Sequence, residues 1–254
     1  MSLSGEIQRY LASYPSFSLE IAEAVKLMHR MDTKYLIRSD DVIGLLNDIR
    51  QDYHVLEIAS QRTGAYTSVY YDTSDRQMFY AHVTGRFPRY KVRKRFYSQN
   101  GLKFFEVKRK SNTGRTCKRR ISLAENNSET TGEWLSRQSP FREDDLTAAL
   151  NIFFERITLI NKKQTERVTV DFNLHFCKPT GMVTPVYDRV AIVELKQDKT
   201  AASPIREILR IKGIRPANLS KFCTGMLLTG CEIGYKRYKP EFSRFVNMQY
   251  ESLD

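Results

Sequence analysis

Between residues 89 and 121 the chain reads RYKVRKRFYSQNGLKFFEVKRKSNTGRTCKRRI, and apolar and charged positions alternate along it. Lys91, Arg93 and Arg95 share one parity, with Val92 and Phe96 on the other. Glu106, Lys108 and Lys110 share one parity opposite Phe105 and Val107, and Lys118 and Arg120 repeat the spacing. Side chains on a strand alternate faces, so the pattern predicts three strands, each with a charged face and a largely apolar one. The "SQNG" and "SNTGR" segments supply turn residues between them, so the cations of three neighbouring strands point to a common side.

The same reading extends along the chain. Leu19, Ala22, Val25 and Met28 have helical spacing, and a strand follows around Lys34, Tyr35 and Ile37. Ser39 is the expected N-cap of a helix whose inner face carries Val42, Leu45, Leu46 and Ile49. "AYTSVYYDT" reads as a strand. Residues 124 to 145 are polar and acidic, a surface excursion with a short helix near Trp134. "LTAALNIFF" has helical apolar spacing, and "ERITLI", "RVTVDFNLHF" and "VAIVELKQ" read as strands. Arg167, Thr169 and Asp171 alternate with Val168, Val170 and Phe172; Ile192, Glu194 and Lys196 alternate with Val193 and Leu195. Two helices close the sequence, "SPIREILRIKG" and "NLSKFCTGMLLTG", with Pro204 in a first turn and Gly213 and Gly230 as stops.

So many like charges on one face repel one another and need a counter-ion. Either an open basic sheet meets nucleic acid, or a closed barrel carries a cationic lumen and buries its apolar exterior under helices. At least seven strands and the available amphipathic helices favour the second. The expected fold is α+β, a closed antiparallel β-barrel clad by flanking helices, with residues 1 to 254 as one domain. The 41 Lys plus Arg against 29 Asp plus Glu give a net charge of +12 and favour an anionic partner. Cys117, Cys177, Cys223 and Cys231 form no CxxC pair and read as reduced, mostly buried thiols of a cytoplasmic protein. No signal sequence and no long apolar run is present, and a membrane-associated partner leaves no trace in the sequence. The scattered histidines form no Ser-His or Cys-His signature.

Nine segments in order carry a resemblance over about Leu19 to Gly230: "LMHRMDTKYLI", "YYDT", "YKVRKRFY", "FFEVKRK", "CKRR", "FERITL", "ERVTVDFNL", "VELK" and "LSKF". Together they resemble the catalytic polyphosphate polymerase domain of the vacuolar transporter chaperone (VTC) family, in the CYTH-like triphosphate tunnel metalloenzyme superfamily. The resemblance implies a tunnel of antiparallel strands that holds a nucleoside triphosphate or polyphosphate with a divalent metal, Mn or Mg. It places the tunnel-lining cations at Lys34, Arg93, Arg95, Lys108, Lys118, Arg156, Arg167 and Lys221, and the metal-binding carboxylate at Glu194. Ser220 falls in a phosphate-contacting motif, and Lys91, Lys110, Arg120 and Lys196 share parity with the lining residues. The ExExK signature of other superfamily members is absent near the start, where "MDTKY" leaves only Lys34, which implies one main metal rather than two. The inositol-phosphate-sensing and membrane-spanning domains that accompany some members have no counterpart, so regulation and coupling to transport are not implied.

Three functions follow. The first is an ATP-dependent polyphosphate polymerase whose partners are ATP and inorganic polyphosphate: phosphoryl transfer is mainly positioning and charge stabilisation, and needs no covalent nucleophile on the protein. The second is a tripolyphosphate or nucleoside triphosphate hydrolase on the same scaffold, with water as acceptor. The third is a nonenzymatic binder of polyphosphate or nucleic acid. Nucleic acid is disfavoured because Phe96 and Phe105 have the opposite parity to the cations, although Tyr97 and Phe104 share it.

Overall fold

The alternating segments build one sheet. The structure, a computed structural model, describes residues 2–24, 30–123, 130–181, 183–198, 202–231 and 237–251. Helix α1 (Leu3–Ala12), the short strand β1 (Ser16–Phe17) and helix α2 (Leu19–Ala24) precede β2 (Arg30–Arg38), α3 (Asp41–Ile49), β3 (Tyr53–Leu56) and β4 (Gly64–Thr73). Then come α4 (Gln77–Thr84), the basic strands β5 (Arg89–Tyr97), β6 (Lys103–Lys110) and β7 (Thr116–Ser122), and α5 (Thr131–Gln138). After a 3-10 turn at Glu143–Asp145 follow β8 (Leu146–Asn161), β9 (Glu166–Cys177), β10 (Val190–Asp198), α6 (Pro204–Ile211), α7 (Lys221–Leu228) and α8 (Lys239–Tyr250). The expected Val25 and Met28 lie outside the described residues.

The ten strands form one sheet whose main path runs β2-β10-β9-β8-β4-β5-β6-β7, with β3 added to β8 and β1 paired parallel to β3. The main ladder is antiparallel throughout. Its convex face is apolar. Tyr35, Ile37, Ile157, Leu159, Val168, Val170, Val193 and Leu195 pack under Ile7 and Leu11 of α1, Val42, Leu45, Leu46 and Ile49 of α3, and Ile205 and Leu209 of α6. Farther along, Val92, Phe105 and Val107 pack under Trp134 and Leu135 of α5. The opposite, concave face is shared between charge and a second core, where Phe222, Cys223 and Met226 of α7 meet Tyr66, Tyr70, Leu150, Ile152 and Phe154.

Three expectations are corrected. The barrel is not closed: among the described residues the ladder ends at β2 on one side and β7 on the other, and the two end strands are not paired. "LTAALNIFF" is not a helix but the start of β8, with Leu150, Ile152 and Phe154 alternately buried. A register shift where β4 passes Tyr70 to Tyr71 opposite Leu150 and Ala148 breaks the two-residue period, leaving Leu146 and Leu150 at helix-like spacing. The N-cap of α3 is Asp40 rather than Ser39, because Ser39 still donates its backbone N–H to Arg189 in the β2–β10 ladder region. Helices α1, α4 and α8 were not anticipated. Among the described residues no helix is long and apolar enough to cross a membrane.

Candidate functional site: a cationic trough

Strand alternation brings one set of polar residues from the main ladder to the concave face, where the buried Glu106 and Asp171 and the half-buried Glu194 each gather two cations. Glu106, 1 % exposed, accepts from Nε of Arg93 at 2.6 Å and from Lys118. Burial pushes its carboxyl up, but Arg93 and Lys118 outweigh that and hold it near 2. Asp171 accepts from Arg156 through Nε at 2.5 Å and Nη2 at 2.8 Å, and from Lys221 at the start of α7. Its carboxyl too is held at about 2, against burial, by Arg156 and Lys221. Glu194 takes Lys196 from its own strand and Lys34 from β2 at 3.7 Å, and is held well below the ordinary carboxylate range. Glu106 is therefore a charge balancer of the cations around it.

Other cations have no such partner. Arg95 is 8 % exposed, yet its Nε donates to the neutral Ser68 hydroxyl at 3.0 Å and its guanidinium lies 5.8 Å from the ring centres of Tyr66 and Phe154. Lys91 donates to Ser220 Oγ at 2.9 Å. Among the described residues no carboxylate comes within ion-pair distance of Arg95, Lys91 or Lys108. Burying a charge without a counter-charge is costly, and burial pushes the pKa of Arg95 and Lys91 down and that of Lys108 to about 8. A surplus of fixed positive charge in a concave surface is a standing demand for an anion.

Helix α7 completes the floor. Ser220 caps it, accepting from the Cys223 N–H at 3.2 Å while also holding Lys91, so the first turn and a strand cation are tied to one hydroxyl. Tyr238 fixes the same residue by accepting the Ser220 N–H at 2.8 Å. Beside this turn lies a cavity of about 520 Å³ that Lys34, Lys91, Lys108, Lys110, His82 and Ser220 help to line. His82 donates from Nε2 to the Tyr90 carbonyl at 3.2 Å, and burial, then Lys91 and Arg89, push its pKa down to about 2, so it is neutral.

The remaining sequence-derived positions fall on the same face but at its margins. Arg167 sits opposite Lys196 in the β9–β10 register. Lys110 is opposite Arg89, and Arg120 is exposed with its guanidinium 4.3 Å from the Phe104 ring centre. Asp72 serves the fold instead, accepting the Thr73, Met78 and Phe79 N–H groups, each at 2.9 Å, ahead of and within α4. The residue that sequence reasoning passed over is Tyr70. It stacks on Phe222 at 5.1 Å and accepts from Nη1 of Arg93 at 2.8 Å. Tyr70 and Tyr71 are adjacent and face opposite sides, so alternation shows that one meets the cations without showing which.

As a metal site the arrangement is sparse. Among the described residues no group of three or more His, Cys, Asp or Glu converges. Glu194 is a carboxylate on the trough wall held well below its ordinary range by Lys196 and Lys34 against burial, a donor that suits a hard divalent cation taking its other ligands from water and phosphate oxygens.

The fold is thus α+β, an antiparallel sheet with cations gathered on one face and the first turn of α7 laid against that face. A crystal structure from Bacillus halodurans, provisionally described as an adenylate cyclase, shares the fold: TM-score 0.51, 14% identity, covering 76% of this chain and 96% of that one. A Hippeastrum protein provisionally described as an adenylyl cyclase, with a dominant triphosphatase activity, aligns at TM-score 0.47 and 14% identity over 82% of this chain and 100% of its own. No curated protein matches the chain at a significant level. The VTC domain model matches residues 29–229, and the chain belongs to the VTC domain family.

Proposed function

We propose that this protein is a metal-dependent phosphotransferase that extends inorganic polyphosphate with the γ-phosphoryl group of ATP. The observation that carries this reading is Arg95, a nearly buried guanidinium whose described hydrogen bond goes to a neutral hydroxyl, on the same sheet face as Lys91 and Lys108, which among the described residues have no carboxylate within ion-pair distance either. A chain of phosphates supplies the missing negative charge at regular intervals, and arginine forks match its oxygens. Arg93, Arg95, Arg156, Lys118 and Lys221 would hold the transferring group and the charge that spreads over it, with Lys34, Arg167 and Lys196 along the far wall. Lys91, Lys108, Lys110, Arg120 and Ser220 would hold the phosphates on either side. Glu194 would hold the divalent cation, which when bound neutralises phosphate charge and polarises the reacting oxygen. In this reading the terminal phosphate oxygen of the acceptor attacks the γ-phosphorus in line, the bond to the β,γ-bridging oxygen breaks and ADP leaves, with no covalent intermediate on the protein.

The test is product length after incubation with ATP, Mn or Mg, and a short polyphosphate primer. Chain growth that falls on the order of a hundredfold or more in Arg95→Ala and in Glu194→Gln is the expected result. Free phosphate as the sole product at every primer concentration identifies a hydrolase. Growth undiminished in both variants removes the site.

A further inference from the structure

Every polar group of Ser220 is taken. Its Oγ accepts the Cys223 N–H at 3.2 Å and the Lys91 ammonium at 2.9 Å, and its carbonyl accepts the Thr224 N–H at 2.8 Å in the first turn of α7. Its own N–H precedes the helix and has no partner in the helical ladder. In a capping box that N–H is satisfied by a Glu or Gln side chain at the third helical position. Here the third position is Cys223, and the acceptor comes from another helix: the Tyr238 hydroxyl, at 2.8 Å. Tyr238 is the N-cap residue of α8 and follows the stretch that the VTC model matches, which ends at residue 229. The residue is buried, and its phenol proton serves the Ser220 carbonyl at 3.1 Å or the Thr224 hydroxyl at 2.9 Å. Helix α8 is itself anchored, with the Phe245 ring centre 5.1 Å from that of Tyr187 and 6.3 Å from that of Phe176.

We propose that Tyr238 is a positioning residue of the phosphate site: its hydroxyl fixes Ser220, and through Ser220 Oγ it sets where Lys91 presents its ammonium. The inference rests on the polyphosphate reading above. Filling the core would be served by a phenylalanine ring, and the hydroxyl adds no bond to the ladder of α7; its described contacts go to Ser220 and Thr224. The choice of a phenol has an electrostatic reason. A carboxylate in its place would satisfy the same N–H, but its charge would lie close to Lys91, which shares Ser220 with it, and would compete with an incoming anion for that ammonium. Burial, then Cys223, pushes the Tyr238 phenol up, so it stays neutral and keeps its proton at working pH. Ser220 is thereby held without cancelling the positive charge that the site needs.

The experiment titrates tripolyphosphate into the full chain by calorimetry. Tyr238→Phe keeps the ring and removes the hydroxyl; it is expected to weaken binding by about tenfold with the stoichiometry unchanged. Thr224→Val deletes the other hydroxyl that Tyr238 meets, a comparable disturbance of the same buried region, and should bind within about twofold of wild type. In a Ser220→Ala background the Tyr238→Phe loss should shrink to within about twofold, because residues that act through one another are not additive. A measurement on the wild type tests the hold without any variant: the Ser220 amide should exchange with deuterium about a hundredfold or more slowly than an open amide. Unchanged affinity in folded Tyr238→Phe, an equal loss in Thr224→Val, a loss that persists in full without the Ser220 hydroxyl, or an unprotected Ser220 amide would each overturn the inference. So would a stoichiometry that falls at unchanged affinity, which assigns Tyr238 to folding alone. A wild type that binds no tripolyphosphate defeats the polyphosphate reading itself, and this inference falls with it.

Discussion

Asp171 grips Arg156 with both carboxylate oxygens, Nε at 2.5 Å and Nη2 at 2.8 Å, across a rung that pairs β8 with β9. Lys221 reaches the same carboxylate from α7, so one acid on the sheet fixes two cations from different layers. Asp171→Asn leaves both positive charges facing each other without a counter-charge, and costs roughly 3 kcal/mol or more of stability. A polyanion would replace the lost charge. Tripolyphosphate should therefore raise the melting temperature of Asp171→Asn by more than it raises that of the wild type, and an equal rise in both would contradict the pairing argument.

Arg95 predicts the reverse balance. Among the described residues this shielded charge has no acid partner, so Arg95→Ala removes a desolvation cost along with its packing on Tyr66 and Phe154. The ligand-free protein should keep its stability to within about 1 kcal/mol, while turnover falls by roughly two to three orders of magnitude. Thermal unfolding and single-turnover rates measured on one preparation check both halves. A large loss of stability with turnover intact would assign Arg95 to the fold.

The trough should take up protons when it fills. Burial pushes the Tyr70 phenol up, but Arg93, Arg95 and Lys91 outweigh it and bring it down to about 7. Burial, then Arg156 against the pull of Asp171, brings Lys221 down to about 8. Both values lie below those of the unfolded chain, so from about pH 7 to 10 the folded protein binds fewer protons at these groups and their contribution to stability rises with pH. A bound polyanion favours the protonated phenol and ammonium, so affinity falls as pH climbs through 7 and 8. Tyrosinate absorbance titrating near pH 7, absent in Tyr70→Phe and bleached by tripolyphosphate, is the expected signature. Binding enthalpy independent of buffer would exclude the uptake.

Gly225 sets how deeply α7 sits. A β-carbon there would lie 2.5 Å from Cδ1 of Phe176 and 2.6 Å from Cδ2 of Leu150, beneath the helix that carries Ser220 and Lys221. Gly225→Ala forces α7 off the sheet and costs about 1–3 kcal/mol. It should also weaken tripolyphosphate binding far more than its stability loss predicts, because Lys221 and the Lys91–Ser220 contact move with the helix. Calorimetric affinity unchanged in a folded variant would show that the sheet alone holds the anion.

Much of this was legible because a half-buried strand writes its two faces into its sequence. The parity of Lys91, Arg93 and Arg95 fixed which side chains converge, and the turns at Gly101 and Gly114, both with positive φ, ended the strands where the pattern did. What alternation does not encode is closure. Whether β2 and β7 meet depends on curvature accumulated over eight strands, and no residue marks it. Parity also fails where the ladder slips: the shift at Tyr70 and Tyr71 disguised the start of β8 and hid which tyrosine faces Arg93. Helix α4 went unread because its cap is Asp72, contributed from the end of the preceding strand rather than from the residue beside the helix.

Strand β2 is held by β10, its Lys34 level with Glu194 near the far end of the chain. Pairing partners so distant in sequence meet late, since the loop between them must be closed before any contact rewards it. A nascent chain consequently carries the basic hairpins of β5 to β7, with Glu106 as their internal acid, long before it owns Asp171, Glu194 and the opposing wall. The cationic face is thus organised in a single final docking event, and a chain interrupted before β10 is a sticky cation without the wall that the proposed polyanion site requires.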